Sequence, residues 1–229
     1  MDFSKKQPAL LYLDVNGFYF YESGTSSVVS MGFLPESVKD MDVINPTTLE
    51  NQVKAFIEQG KITPCNISII LSPNLIFEKE ILVTDVEKQK VEIAHYLDNL
   101  PFENVASSDT PLEKGVKVFA VNEELFTSLH TAFSKFGSAV ENVILYSSLG
   151  NDAQLINNLT PENANLLIKK MDKLKQLSLL KQRPKTTPTP EQKPTEATAK
   201  KKQSPRIYVM AVFLLVLLGI LGYMLLTLK

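Results

Sequence analysis

The chain has 229 residues, 44% of them hydrophobic, and its 24 Lys and Arg against 25 Asp and Glu give a formal net charge of −1. That balance supplies no global electrostatic partner and argues against nucleic acid, while a single cysteine, Cys65, excludes an internal disulfide framework and a thiolate metal cage. One compact domain is enough for a chain of this length.

The globular part runs from Ala9 to Lys181. Ala9 to Val15 and Gly17 to Glu22 are short apolar and aromatic runs broken at Asn16-Gly17, the dipeptide of tight hairpins, so two paired strands are expected, with a third at Val28 to Phe33. Asn45 and Pro46 open a helix whose apolar residues Leu49, Val53, Phe56 and Ile57 share one face, and Gly60 closes it. Asn66 to Leu71 reads as a buried strand ended by Ser72-Pro73.

From Ile76 the order becomes strand, helix, strand, strand: Ile76 to Val83, Asp85 to Leu97, a short strand near Val105, and Val116 to Val121. Thr84 and Glu87 have the spacing of a capping box for the helix, and Asn99-Leu100-Pro101 stops it. Asn122 caps the next helix, Glu123 to Phe136, with Gly137 at its end, and a strand from Glu141 to Tyr146 follows. After a short piece at Asn151 to Leu159, Thr160-Pro161 opens a helix to about Lys181. Its residues Leu167, Met171, Leu174 and Ser178 fall near heptad spacing, which fits a helix packed on the domain or one reaching for a partner helix. The sum is an α/β (α+β) fold with a helix-flanked sheet.

Arg183 to Pro205 is rich in Pro, Thr and Lys and poor in large apolar residues, so nothing offsets the entropy of ordering it and a linker is expected. Ile207 to Leu228 is an uncharged apolar run of 22 residues, about 33 Å as a helix, the length of a transmembrane span. Lys200, Lys201, Lys202 and Arg206 crowd its N-terminal flank and only Lys229 follows it, which predicts that the N-terminal domain stays in the cytoplasm and that the basic residues meet anionic headgroups. The N-terminus, MDFSKKQPAL, has no long apolar core of a signal peptide. The expectation is a single-pass protein of the inner membrane.

Chemistry-bearing motifs are sparse. The sequence holds no phosphate loop of the G-x-x-x-x-G-K-[ST] type, no G-x-G-x-x-G, no H-E-x-x-H and no G-x-S-x-G. His95 and His130 both fall on predicted helices without placed partners, so neither a histidine metal site nor a triad is expected, and Cys65 reads as a small buried hydrophobe. Asp14, at the end of the first strand beside Asn16-Gly17, is the one remaining acidic candidate.

Four stretches carry a resemblance: LYLDVNGFYFYE (11–22), SIILSPNLIFEKEILV (68–83), VEKQKVEIAHYLDNLPFE (86–103) and VKVFAVNEELFTSLHTAFSKFGSAVENVIL (116–145). In their order and phrasing they resemble the N-terminal half of the PilM family, the actin-like cytoplasmic proteins of type IV pilus assembly, and more distantly the cytoplasmic part of GspL in type II secretion. The resemblance implies a truncated actin-like, ribonuclease H-like lobe over residues 1–150 with an inserted strand-helix-strand-strand subdomain. A helical extension (151–182), the linker (183–206) and the span (207–228) would follow. It places Asp14, Asn16 and Gly17 where actin-like ATPases hold metal and phosphates. Phe18 and Tyr19 depart from the small residues of such turns, and the second lobe is not present, so ATP with Mg is not the expected cofactor. What the resemblance implies instead is a non-catalytic scaffold of an inner-membrane assembly platform. Its partners would be the bilayer, PilN- or PilO-like components or a cytoplasmic assembly ATPase, docked near Leu97, Leu100, Pro101 and Phe102. The alternatives are an actin-like ATPase completed by another subunit and an FtsA-like anchor of cell division or cell shape.

Overall fold

A computed structural model describes residues 6–180. The linker, the basic residues Lys200, Lys201, Lys202 and Arg206, and the apolar run at 207–228 lie outside the described residues. Among the described residues no helix is long and apolar enough to cross a membrane.

The chain opens with β1 (Gln7–Asp14) and β2 (Gly17–Glu22), an antiparallel hairpin in which Asp14 lies opposite Gly17, and β3 (Val29–Gly32) continues the meander. A two-residue-per-strand hairpin follows, β4 (Val38–Lys39) and β5 (Asp42–Val43), which leads into α1 (Pro46–Gly60). Next, β6 (Cys65–Leu71) returns parallel to β1, and after the inserted unit β10 (Ala139–Leu145) lies parallel to β6. The sheet order is therefore β10-β6-β1-β2-β3 with β2 alone running against its neighbours. The result is the mixed α/β sheet expected from the sequence.

Both faces of this sheet are covered, and the alternation along each strand shows it. Leu11, Leu13, Phe18, Phe20, Ile67, Ile69 and Val143 point to one face, where α1 and α3 (Glu123–Lys135) add Leu49, Val53, Leu129 and Phe133. Leu10, Tyr21, Ile70 and Ile144 point to the other, where α5 (Pro161–Leu174) adds Ala164, Leu167 and Met171, and the short α4 (Ala153–Asn157) adds Ile156. The heptad-like residues of α5 thus pack on the domain's own sheet. The helix also ends at Leu174, short of the predicted Lys181, because the chain then makes a 3-10 turn over Lys175–Leu177 and bonds to β10.

The inserted unit is β7 (Phe77–Ile81), α2 (Val86–Asp98), β8 (Val105–Pro111) and β9 (Val116–Asn122), with β9 central between antiparallel β7 and β8. It follows the predicted strand, helix, strand, strand order, with one correction at the helix start. The cap is Asp85, whose carboxylate accepts from the Lys88 amide at 2.9 Å, rather than Thr84. An ionised acceptor suits a helix N-terminus better than a hydroxyl, and Glu87 pairs with Lys90 at 2.8 Å instead of turning back to the cap. The two other predicted caps hold: Asn45 accepts from the Thr48 amide at 3.1 Å and Asn122 from the Glu124 amide at 2.9 Å. Helix α1 does end at Gly60, but the residue in the left-handed conformation is Lys61, with φ of 50°.

Candidate functional site

The candidate site lies at the C-terminal ends of β1 and β6, where the turns after both strands meet. Asp14 closes β1, and its Oδ1 accepts from Ser72 Oγ at 2.6 Å and from Asn74 Nδ2 at 3.1 Å. Burial acts to raise the Asp14 pKa, but hydrogen bonds from Ser72, the Val15 amide and Asn74 stabilise the charged form and leave the carboxyl below its ordinary range. Ser72 is itself fully buried, and its amide donates to Leu13 O at 2.9 Å, so the donor is fixed by the sheet that it extends.

Asn16 and Gly17 stand beside Asp14, as predicted from the sequence, but their backbones are engaged. The Asn16 carbonyl accepts from the Phe33 amide at 2.9 Å. Gly17, with φ of 151°, sits so close to β3 that a Cβ would lie 2.1 Å from the Met31 carbonyl oxygen. Glycine is required there by close approach of neighbouring backbone. Phe18 is buried in the core edge-on to Phe56, and Tyr19 is half exposed and stacked on Tyr12 with centroids 6.5 Å apart.

Beneath the end of β1 lies a small apolar cavity of about 10 Å³, lined by Leu13, Met41, Leu71, Leu75, Asn122 and Phe126 among others, room for about one water molecule. The Asn122 side chain, besides capping α3, donates to Met41 O at 3.0 Å and Asp42 Oδ1 at 2.9 Å, which holds the β4-β5 hairpin against this end of the sheet. Chemically the cluster is a charged hydrogen-bond clasp joining β1 to the turn after β6. Ser72 and Asn74 were missed by sequence reasoning, which took Ser72-Pro73 only as a strand stop; their spacing after an apolar run gave no signal of a partner 58 residues upstream.

Other candidates fall elsewhere. Cys65 is buried, and desolvation pushes its thiol pKa up. His95 and His130 are exposed on α2 and α3. No group of three or more His, Cys, Asp or Glu that could hold a metal occurs among the described residues. Of the predicted docking residues, Leu97 packs on Ile81, Val116 and Val118, and Phe102 meets the Phe77 ring edge-on at 5.3 Å. Leu100 is half-buried and Pro101 exposed. Leu82, Val86 and Val91 of the same unit are each 61–69% exposed.

No family model matches the chain, and no curated protein does. Among solved structures, a PilM-PilN type IV pilus biogenesis complex is similar at 13% identity and a TM-score of 0.43, over 66% of this chain and 52% of that one. The cytoplasmic domain of EpsL, an inner membrane component of the type II secretion system of Vibrio cholerae, is similar at 10% identity and a TM-score of 0.36, over 62% and 56%. A Bacteroides thetaiotaomicron protein with an actin-like ATPase fold is similar at 16% identity and a TM-score of 0.33, over 69% and 59%. The chain spans a little over half the length of each of these structures.

Proposed function

We propose that this chain is a membrane-anchored, non-catalytic scaffold of a pilus- or secretion-type assembly platform. The observation that carries the non-catalytic half is the clasp on Asp14: the carboxylate that would serve metal and phosphates is bonded to Ser72 and Asn74 of the same chain. The anchored half is supported by the sequence, in which an uncharged run of 22 residues follows a basic flank and a Pro-rich linker. A domain held near the bilayer by a linker meets membrane partners at an effective concentration that reaches roughly the millimolar range, so weak docking suffices. PilN- or PilO-like inner-membrane components and a cytoplasmic assembly ATPase are the partner classes that fit, with the bilayer itself engaged through Lys200, Lys201, Lys202 and Arg206.

Calorimetry of Mg-ATP into the full chain in detergent tests the first half. No saturable heat is expected; saturable heat abolished by Asp14→Ala would replace this reading with an ATPase completed by another subunit. Alkaline extraction of membranes tests the second half: the full chain should stay in the pellet and a variant lacking residues 207–228 should not.

A further inference from the structure

Strand β10 forms one rim of the central sheet, and its outer side is occupied by the chain itself. The Val143 amide donates to Ser178 Oγ at 3.0 Å, and the Val143 carbonyl accepts from the Leu179 amide at 2.9 Å. Ser178 is fully buried and Leu179 is 4% exposed. Leu179 and Leu180 belong to the core on the α1 and α3 face, whereas α5, directly before them, packs on the opposite face. The chain therefore passes around the rim as a short strap.

The strap is held differently from the strands. Its hydrogen bonds to the rim are one main-chain bond and one in which a serine hydroxyl accepts, where β6 pairs with β10 along six registered positions. Helix α5 is secured separately, by its Thr160 cap and by Ala164, Leu167 and Met171 in the core, so lifting the strap leaves α5 in place. Lifting it exposes a main-chain donor and acceptor on Val143 and the apolar site of Leu179, the elements of strand addition to a sheet edge. The rim of the inserted sheet is built in the opposite sense, since β7 carries exposed Glu78, Lys79 and Glu80, charges that discourage pairing.

We propose that the rim of β10 is a strand-acceptor site, closed in cis by Ser178–Leu180, and that its ligand is an extended partner segment with a small hydroxyl residue followed by leucine. The strap shows the chemistry that fits: a hydroxyl facing the Val143 amide, a main-chain N–H facing the Val143 carbonyl, and a leucine entering the core. This inference stands on the sheet rim and is independent of membrane anchoring.

The test uses the full chain carrying Leu179→Asp, which detaches the strap, and a fluorescent peptide of residues 175–183, KQLSLLKQR. The variant should bind the peptide saturably and at least tenfold more tightly than the unmodified chain, and bound peptide should restore hydrogen-exchange protection at the Val143 amide. A peptide with aspartate in place of its Leu179 should not bind. A folded variant that does not bind the peptide overturns the proposal. Should the variant not fold, the unmodified chain decides: the Val143 amide is expected to exchange at least tenfold faster than that of Ile69 in β6, and equal rates for the two overturn it.

Discussion

The central sheet and the inserted unit are both strand-and-helix layers, yet they use their residues differently. In the central sheet alternate residues of β1, β6 and β10 are buried on both faces, and stacked rings such as Phe20 and Phe133, 6.0 Å apart, fill the α1 and α3 side. In the inserted unit the core between sheet and helix centres on Ile81, Val116 and Val118, and α2 has no fully buried residue. One layer is a platform and the other is a lightly packed flap joined to it through Phe119 and Val121. Stability therefore resides mainly in the first.

The largest effect should come from the platform. Phe133→Ala removes a fully buried ring in contact with Phe18 and Phe20 and should cost about 3–5 kcal/mol in urea unfolding; a loss comparable to that of a flap substitution would break the contrast. Gly17→Ala should follow at about 1–3 kcal/mol, because the added Cβ meets the Met31 carbonyl at a positive φ, with thermal unfolding as the readout. In the flap, Ile81→Val should cost only about 0.5–1.5 kcal/mol, and hydrogen exchange should show β7 and β9 opening more readily than β1 and β6.

A smaller effect tests the clasp. The Asp14 carboxyl has a folded pKa below its ordinary value, so its contribution is present at neutral pH and is lost as pH falls below about 4 and through the folded pKa. Solvent screening keeps that contribution under about 1 kcal/mol. The difference in urea midpoint between the unmodified chain and Asp14→Asn should therefore shrink from pH 7 to pH 3, and a difference constant with pH would dismiss the account. The smallest effect belongs to Val91→Asp on the exposed side of α2, expected within about 0.5 kcal/mol of neutral in urea unfolding.

What the sequence disclosed followed the strength of local signals. The Asn16-Gly17 turn and the Asn45 and Asn122 caps are short-range chemistry, and each lies where it was read. The β4-β5 hairpin went unread because its turn residues, Asp40 and Met41, adopt positive φ of 51° and 69° without the glycine that usually marks such a turn. The exit from α5 went unread because tertiary bonds from Ser178 and Leu179 to Val143 override helix continuation. At the site, Asp14 was visible and its ligands Ser72 and Asn74 were not, since a contact between turns of two parallel strands leaves no periodic trace in the chain.

The parallel pairing of β6 also dictates when the domain can assemble during synthesis. β6 gains its second neighbour only with β10, and the rim of β10 is covered only once Leu179 has been made. Closure of the central sheet thus waits on the last residues of the domain to be made, and until then β6 presents an unpaired edge to other chains.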